Sequence, residues 1–63
     1  MDVATTMNIY DEAFEEAMTM GVDSSKAHVE AITAAAMMLA ALDGIEDVAA
    51  RTQVEEVVSA HAN

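Results

Sequence analysis

The sequence predicts an all-α fold, a small three-helix domain with a central Ala/Met/Leu-rich helix. Three observations carry that expectation. From Ala31 to Leu42 the chain reads AITAAAMMLAAL, with Thr33 as its only polar side chain. Ala, Leu and Met lose least side-chain freedom in a helix, and no Gly or Pro interrupts the run. Apolar residues upstream recur at helical spacing, and the two glycines, Gly21 and Gly44, fall where that periodicity changes.

The first helix is expected at about 3–20. Val3, Met7, Tyr10, Phe14 and Ala17 follow a four-three spacing and share one face. Asp2, Thr5 or Thr6 can cap its start. Gly21 sits where a helix turns into the left-handed conformation, and Val22 is placed to fold back on the last turn. The opposite face carries Asp11, Glu12, Glu15 and Glu16, two like-charged pairs at i, i+4 that cost a few tenths of a kcal/mol each in an isolated helix. A run of acids is ordinarily a solvated face. The functional alternative is a row of carboxylates that a basic groove reads as phosphates.

The second helix is expected at 24–42, capped by Asp23, Ser24 or Ser25. Both its Val29, Ile32, Ala36, Leu39 row and its His28, Ala31, Ala35, Met38, Leu42 row are mostly apolar, so the helix is expected to be enclosed on several sides. Small Ala34, Ala35, Ala36, Ala40 and Ala41 let neighbouring helices approach its axis closely. His28, at the edge of this face, reads as a packed or surface residue, since no ligand spacing accompanies it. With one Phe and no Trp in the chain, Met7, Met18 and Met37 or Met38 are expected to fill the core. The alternative is that methionines mark an adaptable binding surface. A membrane span would need about 20 apolar residues, and Glu30 and Asp43 close this run well short of that.

Asp43 and Gly44 end the helix, and Asp43 with Glu46 matches a capping box for the next. The Asp-Gly pair also occurs in β-hairpins, but its flanks lack strand alternation. The third helix, 45–60, has a phase conflict. Ile45, Val48 and Ala49 share one side, while Ala50, Val54, Val57, Val58 and His61 share another about half a turn away. A second capping box, Thr52 with Glu55, offers a break near Arg51. A continuous helix is favoured, its second side, Val54, Val57 and Val58, meeting another subunit or partner. Ala62 and Asn63 are expected to fray.

Bulk properties bound the function. Residues 1–63 make a single helical domain, and one this size hides only about 60% of the surface its unfolded chain exposes. With no Cys and two His, neither disulfides nor a structural zinc site can support it, and no metal or cofactor is expected. Twelve Asp and Glu face only Lys26 and Arg51, a formal net charge of −10. Direct nucleic-acid binding is excluded, because it needs cations to displace counterions from phosphates. A helix-turn-helix reading through Asp43 and Gly44 fails for the same reason, since Glu46, Asp47, Glu55 and Glu56 would face the phosphates. The charge suits rapid encounter with a basic protein surface, or simply solubility.

Catalytic residues are not expected. The chain has no cysteine nucleophile, no inferable Ser-His-Asp set and no glycine-rich phosphate loop. Asp23-x-Ser25 lacks the glycine turn and distal Glu of a calcium loop. Met1 to Ala4 carry an Asp and no Lys or Arg, unlike the basic start of a signal peptide, so the chain is read as soluble and cytoplasmic.

In size, helicity and acidity the chain resembles the small phage-encoded inhibitors, anti-CRISPR proteins and DNA mimics among them. That resemblance rests on bulk properties and on no motif. It implies an inhibitor that occupies a basic, nucleic-acid-binding surface of a larger protein or complex. The partner-binding residues would be Asp11, Glu12, Glu15, Glu16, Glu46, Asp47, Glu55 and Glu56. The competing reading is a homo-oligomeric structural or adaptor subunit, a homodimer for instance, whose acidity only solubilises it.

Overall fold

The computed structural model describes residues 1–61 and contains three helices: α1 (Val3–Thr19), α2 (Ser24–Asp43) and α3 (Asp47–His61). No strand occurs among the described residues. The fraying expected of Ala62 and Asn63 lies outside them. The fold is all-α, with α2 in contact with both neighbours and α1 and α3 touching each other least.

Local signals set the helix ends. Asp2 is the residue that caps α1. Its Oδ1 accepts from the Thr5 backbone N–H at 2.8 Å, and the Thr6 hydroxyl donates to its carbonyl oxygen at 2.9 Å. The hydrogen bonds from Thr5 hold the Asp2 carboxyl below the ordinary 3.8. At the other end Gly21 adopts φ +89°, and the Val22 and Gly21 N–H groups donate to the carbonyls of Ala17 and Met18. That pairing is a Schellman turn, which only a residue free to take positive φ closes without strain. Asp23 caps α2 by accepting from the Lys26 N–H at 3.0 Å, and Gly44 ends it at φ +66° with its N–H donating to Ala40.

The expected Asp43–Glu46 capping box does not form. Asp43 stays in the last turn of α2, and its carboxylate accepts from the Met1 amino group at 2.8 Å. The chain uses Ile45 as a partly buried link against the core before α3 begins, two residues later than expected. Helix α3 is continuous through Thr52, whose hydroxyl donates to the Val48 carbonyl within the same helix.

The core is small and dominated by alanine. Ala27, Ala31, Ala35 and Ala50 are fully buried, beside Ile32, Ala36, Leu39, Val54 and Val58. Close approach of the helix axes removes the voids that long side chains would otherwise fill. This overturns part of the expected core. Met7 packs against it, but Met18, Met37 and Met38 are exposed. Val3 is also exposed, and α1 buries Thr6 instead, whose hydroxyl is already satisfied by Asp2.

The expected outward side of α3 is likewise corrected. Val54 is 0% exposed, Val58 is buried and Val57 is partly covered, so this row packs on α2 within the chain and is not free to meet a second subunit. The physical reason is length. Ala50, Val54 and Val58 form an unbroken i, i+4 row along α3, whereas Ile45 precedes the helix and leaves its side only Val48 and Ala49. Val48 points outward at 77% exposure.

A candidate protein-interaction surface on the outward face of α2

The buried residues of α2, from Ala27 and Ala31 through Ile32, Ala35, Ala36 and Leu39, occupy about half of its circumference. The helix is therefore not enclosed all round. Its outward arc carries Glu30, Ala34, Met37 and Ala41, spaced as one stripe along the axis. Met37 is 67% exposed, and Met38 is exposed at its side toward α1.

Grooves run along both edges of this stripe. Toward α3, one of about 250 Å³ is lined by Thr33, Met37, Asp47, Val48 and Arg51. Arg51 spans its wall, donating from Nη1 to the Thr33 hydroxyl at 3.3 Å, with Nε 3.8 Å from the Glu55 carboxylate. Toward α1 lie two shallower grooves of about 330 and 340 Å³. Glu16 lines both, with Met20, Glu30 and Ala34 in one and Ile9, Glu12 and Met38 in the other. Apolar floor and acidic rim thus alternate across one side of the molecule.

All eight carboxylates expected to bind a partner are exposed, but they do not form one cluster. Glu12 and Glu16 border the α2 stripe from α1, and Asp47 borders it from α3. Glu55 lies four residues beyond Arg51 on the same side of α3. Asp11 and Glu15 sit further round α1, away from the stripe, and Glu56 is on the other flank of α3. Glu46 is exposed in the link before α3.

Few of the acids are neutralised. Among the described residues, ion pairs join only Met1 to Asp43 and Arg51 to Glu55. Asp2 and Asp23 serve as caps. Glu30, which sequence reasoning treated only as the boundary of the apolar run, belongs to the rim. Its signal was available, because Glu30 and Met37 are seven residues apart and fall on the same helical line. His28 is occupied by a structural contact. Its Nδ1 lies 2.7 Å from the Tyr10 hydroxyl, and the Tyr10 ring rests edge-on to the imidazole and stacks on Phe14.

No helix among the described residues is long and apolar enough to cross a membrane, and none of their His, Asp and Glu side chains gather into a metal-binding group. No protein-family model, characterised protein or solved structure matches the chain.

Proposed function

We propose that this chain is a non-enzymatic, acidic helical interaction module that acts in the cytoplasm by occupying a basic, nucleic-acid-binding surface of a larger protein or complex. The observation that carries the reading is the uncompensated charge: twelve carboxylates, every one exposed, against two basic side chains. Displayed on a rigid helical scaffold, such charges steer encounter with cationic surfaces and compete with phosphates for the same Lys and Arg side chains. An inhibitor of phage type, anti-CRISPR proteins included, would use them in this way.

The test is competition. A labelled DNA duplex is bound to purified basic nucleic-acid-binding proteins, RNA-guided nucleases among them, and the chain is titrated in. Displacement that weakens with salt and disappears when Asp11, Glu12, Glu15 and Glu16 are all changed to Lys supports the reading. Failure to displace DNA from any of them, or equal displacement by the variant, rejects it. The homo-oligomer reading loses its expected interface to the core at Val54 and Val58, and would have to use the outward face of α2 instead.

A further inference from the structure

We infer that the outward face of α2 is a docking site for a basic amphipathic helix, which seats apolar residues on Met37 and Met38 and extends Lys or Arg to Glu12, Glu16, Glu30 and Asp47. This rests on the proposed function and gives that function a place and a partner chemistry.

Two independent features of the face select this occupant. The first is the floor. Met37 and Met38 are the long apolar side chains of this face, at the lip of the grooves on either side. Unbranched thioether side chains adapt to varied apolar surfaces, and a helix laid in a shallow groove reads them at i, i+3 and i+4. The face also has the right length. Helix α2 has 20 residues, enough to match about five turns of a partner helix.

The second feature is the rim. Glu12 and Glu16 border the floor from α1, Glu30 lies on α2 and Asp47 stands at the start of α3. None of these four has a salt-bridge partner among the described residues. The cations on this side are Arg51, already engaged with Thr33 and Glu55, and Lys26 in the first turn of α2. Charge complementarity therefore favours a basic partner over a second copy. A two-fold dimer through this face would bring four carboxylates of each copy toward those of the other.

The experiment uses the whole chain and two labelled synthetic peptides of about 18 residues, long enough for five helical turns. One carries Leu at helical i, i+3, i+4, i+7 spacing with Lys elsewhere. The other has the same composition in an order with no apolar face. Affinities come from fluorescence anisotropy and the contact site from amide chemical-shift mapping. The amphipathic peptide is expected to bind more tightly and to shift Ala34, Met37, Met38 and Ala41. Converting Met37 and Met38 to Asp should weaken it by about tenfold or more, the scale of a lost apolar anchor. The matched control, Met18→Asp, adds charge on another face and should leave affinity unchanged or slightly raised. Amides at Glu12, Glu16, Glu30 and Asp47 should lower the affinity and flatten its salt dependence.

The outcomes separate the site from the function. If both peptides bind equally and the Met variant binds as well as the parent, carboxylates alone recognise the partner, and the α2 site is overturned while the proposed function stands. If neither peptide binds, the α2 site is overturned, and the DNA-displacement experiment alone decides the proposed function. A chain already dimeric, and made monomeric by the Met37 and Met38 changes, would assign the face to a second copy and overturn the inference.

Discussion

The two sides of α2 share an alanine-rich background and have opposite fates. One presents Ala27, Ala31, Ala35, Ile32 and Leu39 to α1 and α3 and is buried. The other presents Glu30, Met37 and Ala41 to solvent, with half-buried Ala34 between them and Met38 exposed beside them. The difference lies in what the neighbours offer. Small residues on the inner side let α1 and α3 come close, and a helix so closely flanked on one side has no third helix to cover the other. An apolar surface left open in a chain this acidic is expected to be kept from copies of itself by charge.

Substitutions can break that comparison, beginning with the inner side. Ile32→Ala removes one of the two largest buried side chains of the core and should cost about 2–5 kcal/mol, enough to leave a domain this small largely unfolded by circular dichroism at room temperature. Met37→Ala, on the outer side, should change stability by about 0.5 kcal/mol or less in the same thermal melts. A comparable loss from both would mean that the outer face is covered. Ala35→Leu tests close approach directly. It should destabilise by about 1–3 kcal/mol through overpacking, whereas Ala41→Leu outside should be nearly silent.

Caps hold both sides equally and so sharpen the contrast with packing. Asp23→Ala should cost about 1 kcal/mol by releasing the Lys26 N–H, with no dependence on partner. Protonating Asp2 should weaken the start of α1, since its carboxyl is held below 3.8 by hydrogen bonds from Thr5. A lowered folded-state value means stability that is fully present above the unfolded value and is lost as pH falls through the folded one. A melting-temperature series across that acid range should show the drop, and Asp2→Asn should flatten it. Smallest of all, Glu15→Gln should raise stability by a few tenths of a kcal/mol by relieving its repulsion from Asp11.

Much of this architecture was legible before the structure, because its signals are local. Gly21 and Gly44 stop helices through backbone freedom, Asp2 and Asp23 start them through side-chain oxygens, and twelve nearly unbroken apolar residues made α2 the centre. What was not legible depended on tertiary choice. Helix α3 offered two apolar sides, and only the continuous row of Ala50, Val54 and Val58 could follow α2 along its length. Met18 and one of Met37 or Met38 read as core fillers because nothing in their own neighbourhood reveals that alanine-lined helices leave no volume for them. The acidic residues were individually visible. Their division between the α2 rim and the far sides of α1 and α3 required the fold.

The measurement that bears most directly on the account is the absolute mass in solution, by light scattering behind a sizing column at low ionic strength, where repulsion is least screened. A folded particle of 6.6 kDa is the predicted result, with the outward face of α2 open to a basic partner. A stable particle of twice that mass, dissociated by Met37→Asp, would contradict it, because a second copy would then cover the face that the charge is argued to keep apart.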